Sequence, residues 1–137
     1  MAFKAAKFEF VEVQVASGST ATRYSFPDLP KLRYTALQAV TAYTVNSLSN
    51  CPSGNAVVNM TIFKTAYLVL YANERQDLYR IPLIELNRVQ NSSTDPFVRS
   101  LWEGMNQKVT WDKCYVELAT VPTFASAASF AFGVYYA

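Results

Sequence analysis

Histidine is absent from this chain of 137 residues. Histidine is the commonest general base and metal ligand, and its ordinary pKa lies closest to neutral pH. Its absence makes catalysis improbable and removes the usual pH switch, so we expect no enzyme, no metal and no cofactor. The remaining candidates for acid and base groups are carboxylates, and no spacing in the sequence joins two of them: Glu85, Asp95, Glu103, Asp112 and Glu117.

Charged residues are also scarce. Charged residues make up only 16% of the chain and hydrophobic residues 51%, whereas ordinary soluble domains carry about 25% charged residues. Because surface charge keeps soluble proteins apart, a chain with so little charge is expected to cover part of its surface with a partner. The formal net charge of +2 is too small to predict nucleic acid or an acidic membrane as that partner.

Cysteines and long apolar runs are also few. Cys51 and Cys114 are the two cysteines, which is too few for the disulfide framework of a small secreted domain, so we predict two reduced thiols. No window approaches the roughly twenty uninterrupted apolar residues of a membrane helix, and no leader with a cleavage site is visible. We expect a single domain spanning residues 1–137, with no membrane span and no secretion.

Aromatic residues are plentiful, with nine tyrosines and nine phenylalanines, and they favour strands. In the first alternating run, Lys7–Val15, the apolar residues change from one side of the strand to the other between Phe10 and Val11. This change indicates either a bulge or a strand that faces two environments. The second run, Leu32–Val45, is rich in Tyr, Thr and Val, which favours a strand, although its Ala and Leu content leaves a helix open. The four predicted long strands are Lys7–Val15, Leu32–Val45, Ala56–Ala72 and Gln107–Val121.

The stretch "DLYRIPLIELNRVQNSSTDPFVRSLWEG" carries a proline inside an apolar run. Proline cannot donate to a strand ladder, so Pro82 is predicted to end a strand that returns through a hairpin at residues 73–76. Asp95 is a good helix N-cap, Pro96 fits the first helical position and Gly104 fits the end. The stretch therefore predicts a strand end and then a connection with one short helix near residues 95–105.

Six to eight strands, one short helix and no internal repeat predict an all-β, single-domain β-sandwich. Long strands whose connections cross between two sheets favour a jelly roll of about eight strands over an up-and-down barrel. A barrel that holds a ligand remains an alternative at this point.

Three stretches carry a resemblance to a known family: "FPDLPKLRYTALQAVTAY", "YRIPLIELN" and "VTWDKCYVEL". Their layout resembles that of the small single jelly-roll proteins of tailless icosahedral bacteriophages, which fill capsid vertices as pentons or accompany a larger double jelly-roll shell protein. The resemblance implies no catalytic residues. It implies a homopentamer or another closed oligomer, contacts with the shell protein, and a place in the virion after assembly in the host cytoplasm. Fold alone does not determine function.

Aromatic side chains are the candidate interface residues, because tyrosine and phenylalanine anchor protein contacts. The alternative is a carbohydrate-binding β-sandwich, in which exposed rings would stack on sugars. Trp111, with Asp112 and Lys113, is a candidate ligand platform, whereas the ordinary interpretation places Trp111 in the core. The predicted interface residues are Phe3, Phe8, Phe10, Tyr67, Tyr71, Tyr135 and Tyr136.

Overall fold

Ten β-strands account for most of the regular structure in a computed structural model, which describes residues 7–45, 50–72, 77–88, 107–121 and 124–137. Helices in these ranges are short: α1, Met60–Phe63, and the 3-10 helices Pro30–Leu32, Leu83–Leu86 and Trp111–Lys113. The strands are β1 Lys7–Val15, β2 Arg23–Ser25, β3 Ala36–Tyr43, β4 Ala56–Val57, β5 Ala66–Ala72, β6 Asp77–Pro82, β7 Asn87–Arg88, β8 Gln107–Lys108, β9 Tyr115–Leu118 and β10 Ala128–Tyr136.

The strands form two sheets whose neighbours come from opposite ends of the chain. The first sheet has the order β1-β10-β3-β7, with β4 paired to β10 and β8 paired to β3. The second sheet has the order β2-β9-β5-β6. The antiparallel pairs β1–β10, β2–β9 and β3–β8 are nested in the chain and alternate between the sheets. This is the rolled ribbon of a jelly roll, and it confirms the predicted all-β sandwich.

The core lies between the two sheets and is built by side-chain alternation. On β1, Val11, Val13 and Val15 point inward and are buried. Opposite them on β10 lie Phe132 and Phe130, which share their face of the sheet. The buried residues of both sheets join in one hydrophobic cluster, which is the main source of stability for such a domain.

The change of apolar phase in β1 reflects two environments and not a bulge. The pairing of β1 with β10 runs without a break from Lys7 opposite Tyr136 to Val15 opposite Ala128. Phe8 and Phe10 therefore face outward, while the valines that follow face inward. Of the two readings that the sequence left open, the structure contradicts the bulge.

Two of the predicted long strands are interrupted. Residues 56–72 hold β4, helix α1 and β5, because the side chain of Asn59 caps a helical turn by accepting a hydrogen bond from the backbone N–H of Ile62 at 2.9 Å. Residues 107–121 hold β8, a 3-10 turn at Trp111–Lys113 and β9. An alternating pattern can continue through a single helical turn, so the pattern alone does not reveal the break.

The predicted hairpin and strand end are confirmed. β5 and β6 pair antiparallel from Ala72 opposite Asp77 to Tyr67 opposite Pro82. Pro82 is the last residue of β6, which is an edge strand of the second sheet, where a missing N–H is tolerated. The helix predicted near residues 95–105 lies outside the described residues.

Candidate functional site

The outer side of the first sheet carries an aromatic face, formed by Phe8, Phe10, Tyr43 and Tyr135. Phe8 of β1 lies opposite Tyr135 of β10, and their ring centroids are 5.1 Å apart in an edge-to-face arrangement. Phe10 and Tyr43 lie with their ring centroids 5.6 Å apart. Such offset and edge-to-face pairs contribute about 0.5–1.5 kcal/mol beyond the burial of their area. The rings are therefore held in place before any partner arrives.

Small residues beneath these rings let them lie close to the sheet. Gly133 faces outward on β10, and a Cβ atom there would lie 2.9 Å from Cε1 of Phe8 and 3.0 Å from both Cγ2 of Thr41 and Oη of Tyr43. Glycine is thus required by close approach. Phe8 remains 46% exposed above it, and Phe10, Tyr43 and Tyr135 are partly exposed, so the aromatic face presents apolar ring surface to the outside.

The outer side of the second sheet carries a different surface, in which cations cover tyrosine rings. The guanidinium carbon of Arg80 lies 3.8 Å from the ring centroid of Tyr67, and that of Arg23 lies 4.8 Å from the ring of Tyr115. In the same way, Nζ of Lys113 lies 4.7 Å from the ring centroid of Tyr71. We call this surface the tyrosine–arginine face, and its residues are Arg23, Tyr67, Tyr71, Arg80, Lys113, Tyr115 and Glu117.

Glu117 lies at the centre of the tyrosine–arginine face. Nε of Arg80 donates a hydrogen bond to its Oε1 at 2.7 Å, and Nη2 of Arg23 lies 3.4 Å from its Oε2. The hydrogen bond from Arg80 lowers the pKa of Glu117, and the charges of both arginines act in the same direction. The resulting stabilisation is present above the ordinary carboxylate pKa and is lost as the pH falls through the lowered pKa. Because the two arginine side chains are more than half exposed, the pairs organise the surface more than they stabilise the fold.

Several predicted interface residues are thus brought together, and others are not. Phe8, Phe10 and Tyr135 share the aromatic face, while Tyr67 and Tyr71 lie on the opposite side of the sandwich. Tyr136 points between the sheets and is buried. It does not lie on the surface, although the sequence predicted it as an interface residue. The reason is strand alternation, since only one of two consecutive tyrosines can face outward. Phe3 lies outside the described residues.

The predicted platform at Trp111 is also corrected. Trp111 is only 7% exposed, belongs to the core cluster and packs against Phe26 with 5.3 Å between ring centroids. Its neighbours Asp112 and Lys113 are exposed. The 3-10 turn at Trp111–Lys113 explains this arrangement, because it turns the indole inward and leaves the two charged side chains outside.

A cleft of about 400 Å³ lies beside this turn, and Tyr34 stands at its edge. The side chain of Tyr34 is 97% exposed, and its backbone has a φ of 61°. That left-handed conformation costs a bulky residue about 1–2 kcal/mol. The cleft is lined by Leu29, Arg33, Tyr34, Thr35, Lys108, Val109, Thr110, Trp111 and Asp112.

No known protein family, curated protein or solved structure matches this chain. Its candidate functional surfaces are therefore the aromatic face, the tyrosine–arginine face and the cleft.

The carboxylate of Glu12 accepts hydrogen bonds from two serine hydroxyl groups, and this cluster has a structural explanation. Oε2 of Glu12 accepts hydrogen bonds from Oγ of Ser129, at 2.6 Å, and from Oγ of Ser53. Nδ2 of Asn55 donates to the same Ser129 oxygen at 3.2 Å. Ser129 is completely buried, so a substrate could not reach it. The cluster fastens the turn at residues 51–55 to the first sheet.

Within residues 7–45, 50–72, 77–88, 107–121 and 124–137, no three side chains of the His, Cys, Asp and Glu types come together as a metal site. No helix there has the length and apolar character required to cross a membrane.

Sequence reasoning did not find Tyr43 or Arg80 as site residues. Tyr43 lies two residues beyond Thr41 on the outward side of β3, so the alternation of that strand was a usable signal. Arg80 reaches Glu117 from another strand of the sheet, and only the register between strands places them together.

Proposed function

We propose that this protein is a non-enzymatic structural component of a virion capsid, of vertex (penton) or minor type. It acts by assembling with copies of itself and by contacting a larger shell protein. The observation that carries the proposal is the aromatic face, which presents Phe8 and its neighbouring rings on the outside of a stiff sandwich. The jelly-roll strand order and the family resemblance support the same function.

The physical basis of assembly is the burial of the aromatic face. Removing apolar area from water contributes about 25 cal/mol per Å², before the entropic cost of association. That cost is reduced here because the rings are already paired with one another. A closed ring of subunits repeats one contact until every copy is satisfied, which is the usual way in which such a surface is covered.

The edge of the first sheet adds a second means of association. β1 is the last strand of its sheet, and among the described strands it forms a ladder only with β10. It is long for an edge strand and carries Phe8 and Phe10 on its outer side. Unpaired backbone groups along such an edge can pair with another chain. A neighbouring subunit that covers the aromatic face would lie beside this edge.

The first test is the mass of the protein in solution, measured by native mass spectrometry over a concentration series. We expect a closed oligomer, with a homopentamer as the vertex form. Replacing both Phe8 and Tyr135 with threonine removes two rings of the aromatic face and keeps β propensity. We expect that variant to dissociate to monomers at concentrations where the original chain is assembled.

Val121→Thr provides the matched control, because Val121 is 69% exposed and lies in a depression beside α1, away from the aromatic face. It should assemble like the original chain. A protein that stays monomeric throughout the series, or a double variant that assembles normally, would contradict self-assembly through this face.

The cleft beside Tyr34 favours a second candidate function, the binding of carbohydrate. An exposed ring beside Arg33, Thr35 and Asp112 offers a stacking surface and hydrogen-bonding groups, which is the usual composition of a small-ligand site. Tyr34 also keeps a strained backbone without the compensation of burial. Strain of this kind clusters at functional sites.

This second function predicts a separation of binding from stability in Tyr34→Gly. Glycine relieves the left-handed strain, so the free energy of unfolding should be unchanged or rise by up to about 1 kcal/mol. Sugar binding should be lost. We would measure saturation-transfer NMR with glucose, galactose, N-acetylglucosamine and sialic acid at millimolar concentration, with Phe8→Ala as the control that retains Tyr34. Absence of binding by the original chain would exclude this function for these sugars.

A further inference from the structure

The tyrosine–arginine face is positively charged. Its three cations and one carboxylate give the seven residues that define it a formal charge of +2. Three cations on one side of the sandwich are a notable group in a chain whose charged residues make up only 16%.

The cations are held in fixed positions on this face. Arg80 is fixed between Tyr67 and Glu117, and Arg23 contacts both Tyr115 and Glu117. Their side chains are nevertheless 53% and 65% exposed. A guanidinium has five N–H donors in a planar fork that matches a carboxylate. Fixed and exposed guanidinium groups can therefore bind further carboxylates with little loss of side-chain entropy.

We propose that the tyrosine–arginine face docks an acidic, carboxylate-bearing surface of another protein. Charge complementarity identifies the partner, and tyrosine and arginine are among the residues enriched where binding energy concentrates at interfaces. The inference rests on the proposed capsid function, in which the partner is the shell protein. It adds the chemistry of that partner and the side of the sandwich that meets it.

The described part of this chain offers no clustered acidic surface to a second copy. Glu9 contacts Lys31, Asp28 contacts Arg33, and Glu12 accepts hydrogen bonds from serines. Glu85 and Asp112 are exposed, but no three acidic side chains come together among the described residues. The acidic partner in this proposal is therefore a different protein.

Nucleic acid fits this face less well than an acidic protein. Single strands bind by stacking bases on open aromatic rings in a positive groove, and here cations already cover Tyr67, Tyr71 and Tyr115. The surface carries too few cations for the strong, salt-dependent binding that nucleic acids show.

The test uses the full chain with poly-L-glutamate as the acidic probe and oligo-thymidylate as the nucleic-acid probe. Binding is followed by ¹H–¹⁵N chemical-shift changes at low and at moderate salt. We expect poly-L-glutamate to shift resonances of β5, β6 and β9, with an affinity that falls as salt rises. The double variant R23Q/R80Q should weaken this binding by about tenfold, the loss expected for two charge-assisted contacts.

The matched control is K31Q/R33Q, which removes the same charge from the segment that precedes β3. It should change the affinity by less than about twofold, because those cations contact Glu9 and Asp28 at another part of the surface. Three results would each overturn the inference. They are equal weakening of binding by both double variants, tighter binding of oligo-thymidylate through the same arginines, and no binding of poly-L-glutamate.

The outcome is separable from that of the proposed function. The mass of the oligomer depends on Phe8 and Tyr135, whereas probe binding depends on Arg23 and Arg80 on the opposite side of the sandwich. A protein that forms a closed oligomer but ignores poly-L-glutamate would overturn this inference alone. A monomer that binds the probe through these arginines would overturn self-assembly and keep the acidic docking face.

Discussion

Replacing Phe132 with alanine is expected to lower the free energy of unfolding by about 3–5 kcal/mol. Phe132 lies on β10, between β1 and β3, and none of its surface is exposed. Its ring centroid lies 5.5 Å from that of Phe26, which in turn contacts Trp111. Alanine would leave a cavity where the two sheets meet. Domains of this kind have a total stability of about 5–15 kcal/mol, so the loss is a large share of it.

Phe8→Ala is the matched control, since it makes the same substitution on the neighbouring strand but on the outer side. Phe8 is nearly half exposed, and we expect its loss to cost about 1 kcal/mol or less. Urea unfolding, followed by fluorescence at one fixed protein concentration, measures both variants, because assembly would make stability depend on concentration. Similar costs for the two substitutions would mean that the first sheet does not have the inner and outer sides described above.

The second expected result is that both cysteine thiols of the native protein resist an aromatic disulfide reagent. Burial raises the pKa of the Cys51 thiol from the ordinary value of 9.0 to about 11, and the nearby charge of Glu12 acts in the same direction. Burial likewise raises the pKa of the Cys114 thiol to about 12. The thiolate is the reactive form, so each unit of pKa lowers its population about tenfold. We expect rates about a hundredfold or more below those of the unfolded chain.

The raised thiol pKa values also predict the direction of a pH effect. Between about pH 9 and pH 11 the unfolded chain loses thiol protons that the native chain keeps, so the unfolded state is favoured as the pH rises. Stability should therefore hold below roughly pH 9 and decline above it. Urea unfolding at neutral pH and at roughly pH 10 measures this decline, and C51A/C114A should show a smaller one.

Ser126→Cys is the control for reagent access, because Ser126 is exposed. The new thiol should react at once in the native protein, while Cys51 and Cys114 react only after unfolding in concentrated guanidinium chloride. Rapid reaction of either natural cysteine in the folded chain would contradict its burial. It would also contradict the hydrogen bonds of Cys114, whose Sγ accepts from the N–H of Tyr71 at 3.4 Å and donates to the carbonyl of Thr110 at 3.3 Å.

Local sequence patterns were sufficient for the class of fold and for several of its elements. The alternation in β1 and the proline at the end of β6 each have a local cause, namely the two sides of a strand and the missing N–H of proline. The hairpin between β5 and β6 follows from a short polar turn between apolar runs. Such features depend on neighbours in the chain, so they can be inferred without knowing which strands pair.

The candidate surfaces could be predicted only in part, because a strand that is apolar on both sides does not reveal which side faces the core. Tyr135 and Tyr136 were equal candidates in the sequence. The structure places Tyr135 outside and Tyr136 inside, and the pairing of β10 with β3 becomes irregular between these two residues. Trp111 was ambiguous for a related reason, since the 3-10 turn that buries it interrupts an alternating pattern.

By itself the sequence determined an all-β sandwich with scarce charge, without histidine, and with more aromatic residues than one core needs. Those properties belong to composition and to short-range periodicity. Only the tertiary structure decided that Phe8, Phe10, Tyr43 and Tyr135 form one face and that Arg80 reaches Glu117 on the other. These residues are far apart in the chain, and the pairing register of the strands, set by burial of the shared core, brings them together.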